Sequence, residues 1–203
     1  MLDSKIYRII EIATNLVLLN LIWLLFCLPV VTIFPATAAM FGVIREWIRD
    51  IDNGTIEPFV RHLKANFAQS LWIGFLWTVA GVIIVLDFYL ISNADLWVKM
   101  PLFLALVLLT LCYALTSVYL FPVMVNYEGN WRSVIKNSFL IAISQPGTTF
   151  LCLLLVALVL AMIPYVPATM LLAGSSTAYL LYFFCRRAFQ RVEALKGIEL
   201  PTE

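Results

Sequence analysis

Between Ser70 and Ile91 the chain reads SLWIGFLWTVAGVIIVLDFYLI, a run whose single ionisable side chain is Asp87. At about 1.5 Å of rise per residue, a helix of this length spans roughly the 30 Å of a bilayer's hydrocarbon core. The apolar residues are continuous and do not alternate, so the pattern is that of a helix and not of a barrel strand. Lipid offers the backbone no hydrogen-bond partner, and a helix satisfies its own.

Comparable runs lie on both sides of this one, at residues 9–28, 30–44, 101–125, 148–163 and 168–185. The 203 residues are 63% hydrophobic and 12% charged, with a mean hydropathy of +0.98. A soluble domain has roughly 45–50% apolar and about 25% charged residues, so there is too little polar surface here to cover a globule in water. The expected fold is all-α: a polytopic helical transmembrane bundle of five to six membrane segments forming a single multi-pass domain over residues 1–203. The lipid bilayer is its first partner. A net charge of +1 without a long Lys/Arg run speaks against nucleic acid.

Topology is argued from charge. The first apolar run reaches from Ile9 to Phe34; read as one crossing, it gives five crossings in all. With the N-terminus inside, the Arg45, Arg49, Arg61, Lys64 cluster and the Arg186, Arg187, Arg191, Lys196 tail then both fall outside, against the positive-inside rule. If the run instead ends near Leu28-Pro29 and the chain returns through residues 30–44, there are six crossings. Lys5, Arg8, the two clusters, Arg132 and Lys136 are then all cytoplasmic, twelve basic residues against Lys99 alone outside. Pro29 and Pro35 are where such a hairpin would break, because proline lacks the donor that helix continuation needs. A re-entrant segment over 30–44, or five crossings with the N-terminus outside, would also keep the large loops cytoplasmic. Pro35-Ala36-Thr37-Ala38-Ala39 has the look of a signal-peptidase site, but the apolar run before it is too long for a secretory signal and Arg45 and Arg49 follow it.

Two stretches outside the spans, about 56–67 and 128–142, are amphipathic and read as interfacial helices. Phe59, Leu63 and Phe67 oppose Arg61 and Lys64 in the first; Trp131, Val134, Ile135, Phe139 and Ala142 oppose Arg132 and Lys136 in the second. Aligning Phe59 with Trp131 also pairs Leu63 with Ile135, Lys64 with Lys136 and Phe67 with Phe139, a register that internal duplication or convergence would equally produce. Asp52-Asn53-Gly54 reads as a turn.

Chemistry is sparse. An intramembrane carboxylate is a functional candidate by default, but Asp87 lies about 25 Å along its helix from Ser70, near the outer interface. Asn15 and Asn20, with Thr14 and Gln145, are candidates to line a polar cavity or meet a sugar hydroxyl; bonds between helices, worth about 1 kcal/mol, explain them equally. His62, the only histidine, reads as a surface residue of a basic stretch. Cys27, Cys112, Cys152 and Cys185 sit in apolar runs without metal-ligand spacing and read as small hydrophobes. The small-residue clusters at Thr37, Ala38 and Gly42 and at 173–178 would let helix backbones approach closely. Walker A, HExxH, GxSxG and GxGxxG patterns do not occur, so neither an enzyme nor a cofactor is expected.

From Asn20 through Trp23, Pro29, Thr32 and Pro35 to Ala39 the chain carries N-x-x-W-x-x-x-x-x-P-x-x-T-x-x-P-A-T-A-A. This resembles the YesL family of bacterial integral membrane proteins, a domain of unknown function; Phe59 to Phe67 and Lys136-Asn137-Ser138-Phe139 are also similar to it. Phe34 stands where the usual family form has glycine before the second proline. The resemblance implies no biochemical activity. It implies a setting, since members tend to be encoded beside oligosaccharide ABC importers and glycoside hydrolases: an accessory or scaffold component of carbohydrate uptake in the bacterial cytoplasmic membrane, with importer subunits as partners. The alternative is a small-solute carrier or channel in its own right, which calls for a polar midplane cavity and broken helices.

Overall fold

The structure, a computed structural model, describes residues 2–49, 51, 54–92, 96–127, 129–162 and 170–196. Asn53, Asp95 and the segment ends at 163 and 168 lie outside these. Among the described residues all regular structure is helical: α1 (Leu2–Cys27), a 3-10 turn (Val30–Thr32), α2 (Ile33–Ile48), α3 (Ile56–Ser92), α4 (Leu96–Asn126), α5 (Trp131–Ser144), α6 (Pro146–Met162) and α7 (Met170–Lys196). The chain is a helical transmembrane bundle. Among the described residues, four helices are long and apolar enough to cross a membrane, and a fifth span is counted if α5 and α6 are taken together.

The first two helices form the proline-broken hairpin. α1 stops at Cys27, and Pro29 caps the 3-10 turn in an extended conformation. Pro35 plays a different part from the one expected of it. It lies buried in the first turn of α2, where the missing N–H costs nothing because those donors have no partner within the helix.

The stretch 56–67 is not a separate interfacial helix. α3 runs unbroken for 37 residues, about 55 Å, because after Pro58 in its first turn no proline interrupts it. α5, by contrast, is a separate helix, set off by Asn130, whose side chain accepts from the Trp131 N–H, and turned 104° from α6. The bend falls at Gln145 (φ −130°, ψ 62°), which Pro146 pushes out of the helical region. The two stretches that align in sequence thus join their following segments in different ways. The fourth helix begins earlier than expected, at Leu96, and carries Pro101 and Pro122 within it.

α2 is the central element, touching α1, α3, α4 and α7, with Ala36, Ala38, Ala39, Val43 and Ile44 fully buried. Outward-facing Phe75, Val85, Leu86, Leu104 and Leu108 give the bundle an apolar exterior suited to lipid. Side-chain contacts tie the end of α2 to the start of α3, to the end of α4 and to α7, and tie α3 to the loop before α5. Arg45, Arg49, Arg61, Arg186 and Arg191 therefore share one end of the bundle, while Lys99 opens α4 at the other.

Candidate functional site

The hairpin turn is closed from within. The Thr32 hydroxyl lies within hydrogen-bond distance of the Phe26 carbonyl and of the Pro29 carbonyl, the latter at 2.7 Å; the Pro29 carbonyl also accepts from the Thr32 N–H at 2.9 Å, which leaves the one hydroxyl proton for the Phe26 carbonyl at the end of α1. Just beyond, Phe34 lies on Gly74 of α3, where a Cβ would fall well under 3.0 Å from its ring. Phe34 is thus matched by a notch in the neighbouring helix.

At the other end of the α2–α3 contact the relation is reversed, and His62 of α3 lies on Gly42 of α2. His62 Nε2 is 2.7 Å from Glu46 Oε1, and Arg61 Nη2 donates to both Glu46 oxygens at 2.7 and 2.8 Å. The expectation of a surface histidine is corrected: its side chain is 16% exposed and that of Glu46 14%. The signal available in the sequence was the spacing of Gly42 and Glu46, four apart and so on one face of α2.

Beside this triad, arginines cover helix ends. Arg45 donates to the Val125 carbonyl in the last turn of α4, and Arg186 to the Ile48 carbonyl at the end of α2, at 2.8 Å. Arg49 donates to Asn126 Oδ1 at 3.1 Å, which also accepts from the Tyr182 hydroxyl at 3.3 Å. These carbonyls have no partner within their own helix and carry the negative end of its dipole, so a guanidinium both bonds and neutralises them. Sequence reading treated these arginines as topology signals only.

The residues read as candidates for a polar path are placed otherwise. Asn20 is fully buried between α1 and α7, its Oδ1 accepting from the Ser175 N–H at 3.1 Å, while the Ser175 hydroxyl donates to the Leu16 carbonyl. Gly174 admits Asn20, since a Cβ there would fall 2.5 Å from Asn20 Oδ1. Thr37 accepts from Trp23 Nε1 at 3.1 Å and binds α1 to α2. Ala38 and Gly42 are buried in the α2 contact, and Pro29 is exposed. Asn15 is half-buried, as is Asp87, five residues before the end of α3 and far from the other candidates.

A cavity of about 490 Å³ lies between α2, α4, α6 and α7, with Trp23 of α1 at its edge. That is within the roughly 300–1,000 Å³ of small-molecule sites. Phe41, Phe121, Val156 and Leu181 represent its lining, which is apolar apart from a few hydroxyls. Two of these, Thr37 and Ser117, already donate to carbonyls of their own helices and accept from Trp23 and Trp77. Such a cavity favours hydrocarbon over a sugar. No group of three or more His, Cys, Asp or Glu side chains able to hold a metal occurs among the described residues.

Residues 16–88 match the family described as "Protein of unknown function, DUF624". The match takes in the hairpin, the Gly42–His62 contact and the Phe34–Gly74 contact. Three proteins of Bacillus subtilis (strain 168) are similar to the chain: uncharacterized protein YesL, 33% identical over 68% of this chain and 66% of its own length; YteU, 29% identical over 81% and 75%; and YesV, 28% identical over 94% of each. No solved structure matches it.

Proposed function

Starting from the premise that this chain belongs to the DUF624 family together with YesL, YteU and YesV, we propose that it is a non-catalytic accessory or scaffold component of oligosaccharide uptake. It sits in the bacterial cytoplasmic membrane with its basic end, the Arg45–Phe67 region and both termini in the cytoplasm. It acts by contact with the subunits of an ABC importer, through its helix faces and its basic end. The importer association rests on the setting that the family resemblance implies.

The observation that carries the scaffold reading over the carrier is the fate of the polar groups inside the bundle. Asn20, Thr37, Ser117 and Thr149 are engaged in bonds with neighbouring helices, and the described cavity beside them is apolar. A sugar carrier needs hydrogen-bond partners left over for hydroxyls, and an aqueous route to them. The helix breaks at Pro29 and at Gln145-Pro146 favour the carrier, but the Thr32 hydroxyl bonds back across the first and the Thr149 hydroxyl across the second.

Tagged protein, solubilised in mild detergent from cells grown on an oligosaccharide, tests the proposal. Importer permease subunits should co-purify in amounts comparable to the bait. Proteoliposomes holding the protein alone should show no uptake of labelled oligosaccharide above that of empty vesicles. Uptake by the protein alone establishes the carrier, and a bait that brings down no importer subunit removes the accessory role.

A further inference from the structure

The cavity and the arginine-covered helix ends lie on the same helix faces. On α2, cavity-lining Phe41 is followed four residues later by Arg45; on α4, Phe121 is followed by Val125, whose carbonyl accepts from Arg45. On α7, cavity-lining Ala178 is followed by Tyr182 and then by Arg186, again at spacings of four. Residues four apart stack on one face, so each step is one helical turn, about 5.4 Å along the axis. The apolar cavity thus lies one to two turns of helix from a cluster of Arg45, Arg49 and Arg186, on the same helix faces. That is the polarity of an anionic amphiphile.

Water is a poor occupant for the cavity, because a stable buried water requires two to four polar partners and the lining offers side-chain hydroxyls only from Thr37, Ser117 and Thr177, the first two already engaged. In a bilayer the surrounding solvent is itself hydrocarbon, and a hydrocarbon chain recovers the dispersion contacts that an empty cavity forfeits. At the other end, Arg49 and Arg186 are exposed, and each guanidinium has five donors, so the bond each makes to a helix end leaves others over for a second acceptor. Phosphate oxygens suit that fork.

We propose that the cavity between α2, α4, α6 and α7 is a phospholipid site, holding one hydrocarbon chain of an anionic phospholipid whose phosphate is bound by Arg49 and Arg186. The site is independent of whether the protein serves an importer.

Native mass spectrometry of the full chain, purified in mild detergent and released from nanodiscs containing equal phosphatidylglycerol and phosphatidylcholine, tests this. The expected result is one retained phosphatidylglycerol per chain. Ala114→Phe, which places a ring in the cavity, should lower retention at least about tenfold, since the methylenes kept out forfeit their dispersion contacts with the lining. Arg49→Gln with Arg186→Gln should remove the preference for phosphatidylglycerol while leaving phosphatidylcholine retained. Should Ala114→Phe fail to fold, phosphatidylglycerol brominated on its acyl chain provides a second reading: it should quench the parent protein's tryptophan fluorescence by a component that Trp23→Phe removes. The proposal is overturned by a folded Ala114→Phe that retains lipid like the parent, by quenching indifferent to Trp23→Phe, by an unaltered headgroup preference in the arginine double variant, or by a dimer in which a second copy fills the cavity.

Discussion

The ring of His62 lies on the backbone of Gly42, so close that a Cβ at residue 42 would fall 2.5 Å from His62 Cγ. Cγ is the root of the ring and cannot swing aside without moving α3 or breaking the 2.7 Å contact with Glu46. Gly42→Ala should therefore lower stability by about 1–3 kcal/mol, the usual range for overpacking. In a double-mutant cycle, His62→Ala should recover most of that loss, because the space the new methyl needs is then free. Thermal unfolding in detergent measures both. Additive losses would show that the contact does not limit the approach of α2 to α3.

A second notch sits at the other end of the α2–α3 contact. Phe34 occupies the space over Gly74, and a side chain at residue 74 would displace its ring. Gly74→Val should be strongly destabilising alone but tolerated with Phe34→Gly, which empties the space the new side chain needs. Phe34→Gly by itself should cost about 1–3 kcal/mol, less than a fully buried phenylalanine would, since Phe34 is half-buried. Comparable expression of Gly74→Val and the double variant would contradict the coupling.

Asn20 gives a test that separates packing from transport. Its bond to Ser175 crosses from α1 to α7, and such bonds within membranes are worth about 0.6–1.7 kcal/mol. Asn20→Ala should lower thermal stability by about that amount while oligosaccharide uptake by cells, corrected for protein level, stays at the parent value. A drop in uptake at normal protein level would make Asn20 a solute-binding residue.

The sequence revealed the class and the hairpin because their determinants are local. An apolar run of about twenty residues is a span, and Pro29 marks the end of the first one, although Pro101 and Pro122 sit within α4 without ending it. Gln145-Pro146 is equally local, and α5 and α6 part where the sequence left a gap between 142 and 148. What escaped depends on partners distant along the chain. His62 looks like a surface residue until Gly42 and Glu46, twenty and sixteen residues earlier, are laid against it by the antiparallel α2–α3 contact. The unbroken α3 escaped for the opposite reason: its amphipathic start and apolar remainder differ in composition, and composition suggested a boundary where the backbone has none. The cavity has no signature at all, being the space that helices far apart in sequence leave between them.

Asp87 lies near the end of α3, half-buried, away from the cavity and from the arginines. Asp87→Asn removes the charge at nearly constant shape. It should leave thermal stability within about 0.5 kcal/mol, as expected for a site outside the core, and should leave uptake unchanged. Lost uptake with normal protein level would place a charge-dependent step at that end of the bundle.

Ala38 is the sharpest single test of the hairpin, because it is completely buried on the central helix, between the closed turn at Pro29 and the His62 contact at Gly42. α2 is short and meets four other helices, so its small residues set how closely they all approach. Ala38→Leu adds three carbons where no exposed surface can take them. It should cost at least about 1–3 kcal/mol and lower the temperature of aggregation in detergent. Leu104→Ile is the control. Leu104 is 62% exposed on α4, where lipid replaces a packed neighbour, so a volume-conserving change should be nearly silent. The two variants share a hydrophobic character and differ in what surrounds them. If Ala38→Leu expresses and resists heat as well as Leu104→Ile does, α2 faces lipid and the returning half of the hairpin is not the core of this bundle.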